Sequence, residues 1–135
     1  MSHFTTLKTQ ITDINALQAA LADLGFKEVE VYAVAEHLYG YRGDARPQTA
    51  EVIVRRQHIG WLSNDLGFKR NAAGTFDAII SEYDRSQYSQ EWLQQLTQRY
   101  AYHVARAKLQ EQGFTLVAEE KTKDGRIHLT LRRMA

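Results

Sequence analysis

Apolar positions along the chain follow two periodicities, and each predicts a different kind of element. Residues 4–11 carry apolar side chains among threonines, a mixture typical of a strand. Over 14–24 the apolar residues are spaced by three and four, so they fall on one face of a helix that Gly25 ends. Val29, Val31 and Ala33 then alternate with Glu28, Glu30 and Tyr32, which predicts a half-buried strand.

A second, longer helix is predicted from about Ser89 to Gln112. Ser89 is suited to cap its first turn, as Thr12 or Asp13 is for the first helix. The apolar stripe of the long helix consists of Leu93, Leu96, Tyr100, Val104 and Ala107. We expect Leu17, Leu21, Leu96, Tyr100 and Val104 to be buried together where the two helices meet.

Two hairpins are predicted from their turn residues. The segment 71–74, Asn-Ala-Ala-Gly, forms the loop of the first and joins strands over 66–70 and 75–81. Asp124-Gly125 lies between two strand-like segments near the C-terminus, and Asp-Gly is a strong hairpin signal. We therefore expect Gly125 to adopt a positive φ.

The predicted order of elements is β-α-β-β-β-β-α-β-β, which favours an α+β fold. The architecture expected is an antiparallel-dominated sheet with two helices packed on one face. The first β-α-β unit suggests a right-handed crossover between parallel strands. The 135 residues contain one proline, Pro47, and no linker-like tract, so residues 1–135 are expected to form a single domain.

Composition and net charge exclude several classes of partner and of chemical site. The formal net charge is +1, so no strong positive field draws the chain to nucleic acid or a membrane surface, and we expect neither as a partner. Cysteine is absent, which excludes disulfides, thiol catalysis and cysteine-type metal sites. No secretory signal or long apolar span is visible, and a cytoplasmic location is expected.

Few residues form a recognisable chemical motif. The five histidines show no metal-ligand spacing and no glycine-rich segment has phosphate-loop spacing, so no metal, catalytic residue or cofactor is predicted. Carboxylates crowd the end of the strand near residue 81, and aromatics lie on glycine-bearing loops. The candidate ligand surface consists of Tyr41, Trp61, Asp77 and Glu82. The alternatives are a solvated strand end and aromatic lids over the core.

The long helix also carries a basic face. Arg99, His103 and Arg106 follow a spacing of three to four residues and share one side of the helix. These three residues are the candidate partner-binding site, because exposed arginines offer paired hydrogen bonds to a carboxylate or phosphate. The alternatives are a solvated face, or structural arginines that pair with Glu119 or Glu120 of the following strand.

Longer sequence motifs carry a resemblance that covers nearly the whole chain. They are the segment 2–13, DLGF at 23–26 and 65–68, GYRG at 40–43, GTFDAIISEYD at 74–84, QRYAYHV at 98–104, QGF at 112–114 and DGRIHLTLRR at 124–133. In this order they resemble the hypothetical chloroplast reading frame thirty-five family of cyanobacteria and algal plastids, a family of unknown function. The resemblance implies an accessory role near AAA-type ATPases, ferredoxin-like proteins or photosynthetic complexes, in the cytoplasm or plastid stroma.

Two functional hypotheses remain at this point. The first is a non-enzymatic accessory or interaction protein that binds a protein partner, with a homo-oligomer as one form of it. The second is a small-molecule-binding protein or an enzyme without a recognisable motif, which would use the aromatic and acidic middle of the chain. A cleft lined by the middle residues would favour the second hypothesis, and an exposed apolar surface the first.

Overall fold

Residues 3–133 are described by a computed structural model of the chain, and its elements occur in the predicted order. The strands are β1 (Phe4–Lys8), β2 (Glu30–Tyr39), β3 (Ala45–Val54), β4 (Leu66–Arg70), β5 (Phe76–Ser81), β6 (Phe114–Lys121) and β7 (Ile127–Arg133). The helices are α1 (Ile14–Asp23) and α2 (Gln90–Glu111), with short 3-10 helices at Arg56–His58 and Asp84–Ser86. The α+β class is confirmed. No helix within residues 3–133 is long and apolar enough to cross a membrane.

Five strands form one sheet in the order β1-β5-β4-β3-β2, and every neighbouring pair is antiparallel. Four antiparallel pairings separate β1 from β2, so these two strands run in the same direction, as predicted for the first β-α-β unit. They lie at opposite edges of the sheet and do not pair with each other. The chain crosses from one edge to the other through α1, and the next three strands fill the space between them. β6 and β7 pair only with each other and form a separate two-stranded sheet.

Local signals set the ends of the helices as predicted. The Asp13 carboxylate accepts a hydrogen bond from the backbone N–H of Ala16 at 3.0 Å, which caps α1. Gly25, at a φ of 102°, closes the same helix, and the N–H of Phe26 donates to the carbonyl of Leu21. Ser89 caps α2 by accepting from the N–H of Trp92.

Both helices pack on one face of the five-stranded sheet and enclose the main core. The fully buried residues there include Leu17 and Leu21 of α1, Leu96 of α2, and Phe68 and Phe76 of the sheet. The predicted burial of Leu17, Leu21, Leu96 and Tyr100 is confirmed. Val104 and Ala107 are exposed instead, because they face an open groove between α1 and the second half of α2.

A smaller apolar cluster lies on the opposite face of the sheet. It contains Leu38, Ala50, Ile53 and Ile79, with Phe4 and Tyr32 packed against it. Gly67 sits among these residues, and a Cβ added there would stand 2.8 Å from the Cβ of Ala50 and 2.9 Å from a methyl of Leu38. The absence of a side chain at this position lets the cluster close.

The edge strand β2 differs from its predicted alternation. Val31 and Ala33 are exposed, and Tyr32 between them packs on the smaller cluster. The ladder to β3 is interrupted between the pairs that Val31 and Glu36 make, so residues 32–35 stand opposite Glu51 alone. This bulge breaks the alternation of period two on which the prediction rested.

The β6–β7 hairpin packs along α2 rather than on the main sheet. Gly125 has a φ of 87°, which confirms the predicted turn. The side-chain amide of Gln98 donates to the carbonyl of Gly125, and Arg99 binds Glu119, so the turn of the hairpin and the adjoining part of β6 are tied to α2. A two-stranded sheet is marginally stable alone, and these contacts hold it in place.

Candidate functional site

Asp65 is a buried carboxylate at the junction of three segments. It is 1% exposed and immediately precedes β4. One carboxylate oxygen accepts from the backbone N–H of Tyr39 at 2.7 Å and from Nη1 of Arg55 at 2.8 Å. The other accepts from the backbone N–H of Arg56 at 2.7 Å. A buried carboxylate needs such donors, and here they join β2, the end of β3 and the start of β4.

Arg55 links this carboxylate to the rim of a cleft. Its Nε donates to Glu30 at 2.7 Å, its Nη1 also donates to the carbonyl of His37, and the ring of Tyr39 lies 5.1 Å from its guanidinium carbon. Tyr32 donates to Glu30. The surrounding cleft has a volume of about 410 Å³.

The charged forms of Arg55 and Glu30 stabilise each other in this cleft. Burial alone would lower the pKa of Arg55, but hydrogen bonds with Tyr32, Glu30 and Asp65 outweigh it and raise that pKa. For Glu30, burial raises the pKa, and hydrogen bonds from Tyr32 and Arg55 overcome it and leave the pKa below its ordinary value. Both groups are therefore held in their charged forms.

Arg56 also lines this cleft, and it fixes the loop of residues 59–65 that precedes β4, which we call the Trp61 loop. Its Nη2 donates to the carbonyls of Tyr41 at 2.6 Å and Trp61 at 2.5 Å, and its Nε donates to the carbonyl of Ser63 at 3.0 Å. Trp61 itself is 83% exposed, and the adjacent Leu62 is 55% exposed. One guanidinium therefore holds the backbone of a loop whose two large apolar side chains face solvent.

A second buried polar group joins this loop to the turn after β5. Asn64 and Ser81 are almost fully buried, and the amide of Asn64 donates to the Ser81 hydroxyl at 2.9 Å. The Ser81 hydroxyl donates to Asp84 at 2.7 Å, and Asp84 also accepts from the backbone N–H of Asn64 at 3.0 Å. The turn that carries the exposed Tyr83 therefore lies beside the Trp61 loop.

The structure brings together only part of the predicted ligand surface. Tyr41 and Trp61 are neighbours, because Arg56 binds the carbonyls of both. Asp77 and Glu82 lie at opposite ends of β5, and Asp77 accepts from the side chain of Asn71 in the hairpin loop. The four residues do not line one cleft. Within residues 3–133, no three His, Asp or Glu side chains are grouped so that they would hold a metal ion.

The three residues of the predicted partner-binding face have different surroundings in the structure. Arg99 donates to Asp23 at 2.8 Å and to Glu119 at 2.6 Å, and His103 lies 2.6 Å from the same oxygen of Asp23. Burial lowers the pKa of Arg99, but hydrogen bonds to Glu119 and Asp23 outweigh it and raise it. Arg99 therefore forms ion pairs with two carboxylates of the chain itself. One of them, Glu119, is a partner expected if the arginine has a structural role.

Arg106 remains exposed, and among the described residues its side chain hydrogen-bonds only to the hydroxyl of Tyr102. Together with His103 it lines a groove of about 710 Å³ between α1 and the second half of α2. The floor of the groove includes Ala16, Ala19 and Val104.

The sequence did not single out most of the buried and half-buried polar residues that organise the site: Arg55, Arg56, Asn64, Asp65 and Ser81. Asp84 was recognised only as part of the carboxylate cluster at the end of β5. One signal was available, because Arg55-Arg56 directly follows the apolar end of β3 and Ser63-Asn64-Asp65 directly precedes β4. Polar groups at adjoining strand ends are placed to meet, but their pairing depends on a sheet order that the sequence did not reveal.

Comparison with known proteins places the chain in a family. A model described as "Protein of unknown function (DUF1257)" matches residues 20–130, which is most of the chain. The chain belongs to this family. The match includes the buried network around Asp65, the Trp61 loop, the whole of α2 and the last turn of α1.

Three plastid-type relatives support membership of the DUF1257 family. Proteins named "Uncharacterized protein ycf35" from Cyanophora paradoxa and Pyropia yezoensis are each 29% identical to the chain, and one from Guillardia theta is 30% identical. Each alignment covers 98% of this chain and 98% of the relative. The resemblance predicted from the sequence motifs is confirmed. No solved structure gives a significant match.

Proposed function

We propose that this protein is a non-enzymatic accessory protein that binds a protein partner through the surface formed by Tyr41, Trp61, Leu62 and Tyr83, which we call the Trp61 surface. The observation that carries the proposal is the exposure of Trp61 and Leu62 on a loop that is held rigidly. Exposed aromatic and aliphatic side chains in neighbouring positions, here Trp61 and Leu62, are typical of interaction sites.

Rigidity of the loop favours binding, because a preformed surface loses little conformational entropy when a partner docks. Arg56 fixes the carbonyl of Trp61 itself, and Asp84 fixes the N–H of Asn64 on the other side of the loop. The backbone is therefore ordered before a partner arrives, and only the exposed side chains remain to be immobilised.

The hydrogen bonds of the buried carboxylates support a binding role rather than a catalytic one, because their partners are groups of the chain itself. The oxygens of Asp65 accept from two backbone N–H groups and from Arg55, and Asp84 accepts from Asn64 and Ser81. These groups act as scaffold for the loop. Within this proposal the protein serves a complex of the cyanobacterial cytoplasm or plastid stroma, with AAA-type ATPases as one partner class to be sought.

A second candidate function is small-molecule binding in the cleft at Arg55. The observation in its favour is the 410 Å³ volume lined by Tyr32, Tyr39 and Arg55, which joins aromatic walls to a charged group. Tyr39→Ala would impair this function and leave the Trp61 surface in place, so the two candidates are separable.

The test is quantitative capture of proteins from a cyanobacterial or plastid lysate on immobilised protein, with wild type compared with Trp61→Ala. Val34→Ala is the matched control, since Val34 is 78% exposed on the edge strand, away from the loop. We expect partners retained by the wild type and by Val34→Ala to be lost from Trp61→Ala. Retention of the same proteins by all three would contradict the proposal.

Fluorescence provides a second measurement with the purified partner. The chain has two tryptophans, and Trp92 is half-buried against Tyr88 and Phe26. In a Trp92→Phe background, the emission of Trp61 should shift to shorter wavelength when the partner binds, because the indole leaves water. An unchanged spectrum at saturating partner would place the interface elsewhere.

A further inference from the structure

We infer that the groove between α1 and the second half of α2 is a contact between two copies of this chain, related by a two-fold axis. The inference concerns a different surface from the Trp61 surface and does not depend on it. The chain covers the apolar stripe of α2 at Leu93, Leu96 and Tyr100 and leaves it uncovered at Val104 and Ala107.

The shape of the groove fits a helix. Its floor is built from Ala16 and Ala19 of α1 and from Val104 and Ala107 of α2, and its volume is about 710 Å³. Small side chains allow the backbone of another helix to approach closely, at the separations of about 8–10 Å usual for packed helices. An amphipathic helix lies in such a groove with its apolar residues against the floor.

The charged residues around the groove favour a second copy of this chain as the partner that binds there. Its rim carries Asp13 and Glu111 as acids and Arg106 and Lys108 as bases. None of these four side chains forms an ion pair with another described residue. A strongly acidic or basic partner would meet like charges on one half of the rim. A second copy presents the same balanced set, so a two-fold axis can bring opposite charges together.

The second half of α2 is the segment of the second copy that enters the groove. Lys108 and Glu111 are three residues apart and share one side of this helix with Val104. When two such helices lie antiparallel, with the two-fold axis between Lys108 and Glu111, each Lys108 faces Glu111 of the other copy. Val104 of each copy then lies against the C-terminal end of the other copy's α2 and is removed from water there. The arrangement resembles a four-helix packing, with α1 of each copy on the outside.

The experiment measures molar mass in solution by light scattering after size exclusion, over a wide range of protein concentration. Wild type is expected at twice the 15.5 kDa mass of the chain. Val104→Glu should give the monomer mass, whereas Val117→Glu should remain a dimer. Val117 is the matched control because it is a valine, 52% exposed against 38% for Val104, on the outer side of β6. Circular dichroism checks that both variants fold.

Mixing two charge variants tests the pairing directly. Lys108→Glu alone and Glu111→Lys alone should each be monomeric, because every cross-copy pair becomes a pair of like charges. Mixed in equal amounts, they should form a heterodimer in which both pairs are again opposite. A wild type that is monomeric at all concentrations would overturn the inference, as would a dimer that survives Val104→Glu or a mixture that fails to associate.

Discussion

Nε of Arg99 donates a hydrogen bond to the carboxylate of Asp23 at 2.8 Å, which joins the long helix to the last residue of the first helix. Burial raises the pKa of Asp23, but hydrogen bonds and positive charge from Arg99 and His103 outweigh it and hold that pKa below its ordinary value of 3.8. The ionised form of Asp23 therefore stabilises the folded state.

The pH dependence of stability follows from the sign of this shift. A carboxyl group whose pKa is lower in the folded state contributes stability above its unfolded pKa, and loses it as the pH falls through the folded value. We expect the free energy of unfolding of wild type to exceed that of Asp23→Asn at pH 6, by about 1 kcal/mol for a partly exposed pair. The difference should shrink below pH 3.8. A difference of constant size across this range would show that Asp23 acts through packing alone.

Leu96 is fully buried between the helices and the sheet, and its truncation should be costly. Leu96→Ala is expected to lower the free energy of unfolding by about 2–5 kcal/mol, because it removes apolar contacts and leaves a cavity. Leu62→Ala is the matched control on the exposed loop and should change it by less than about 0.5 kcal/mol. Chemical denaturation measures both, and equal effects would mean that the core is wrongly placed.

Removal of the Asp65 carboxylate should destabilise the fold and loosen the Trp61 loop. Asp65→Ala leaves Arg55 without its buried partner and two backbone N–H groups without acceptors, a loss of about 3–5 kcal/mol. Glu82→Ala removes an exposed carboxylate and serves as control. Amide hydrogen exchange should show faster exchange in residues 59–65 of the first variant. Unchanged protection there would refute the role of Asp65 as the anchor of the loop.

Two glycines should resist substitution for different physical reasons. Gly67→Ala is expected to cost about 1–3 kcal/mol because the new Cβ meets Ala50 and Leu38 at under 3.0 Å in the smaller cluster. Gly125→Val has open space around the Cβ, but the φ of 87° disfavours a β-branched residue by about 1 kcal/mol or more.

A compensating substitution distinguishes the two causes. Leu38→Ala should partly rescue Gly67→Ala by making room for the new methyl group, and should do nothing for Gly125→Val. Thermal denaturation of the single and double variants measures the coupling. Strict additivity of Gly67→Ala and Leu38→Ala would contradict the steric explanation.

Local chemistry explains which parts of the fold were predictable. The cap at Asp13, the helix end at Gly25 and the turn at Gly125 each depend on a few adjacent residues, and each was predicted. The exposure of Val104 was not, because periodicity indicates which side of a helix is apolar but not how far another element covers it. Arg55 and Asp65 meet only once the sheet order is fixed, so their pairing could not be inferred from spacing.

The bulge at residues 32–35 of β2 has a consequence for the behaviour of the protein at high concentration. β2 is a ten-residue edge strand with neither lysine nor proline, the residues that commonly keep edge strands from pairing with other molecules. A continuous ladder along it would be a template for aggregation. Because the bulge interrupts the row of backbone N–H and carbonyl groups, an incoming strand finds only short stretches in register. At the other edge, β1 is five residues long and ends at Lys8, so both rims of the sheet resist fibril-like growth.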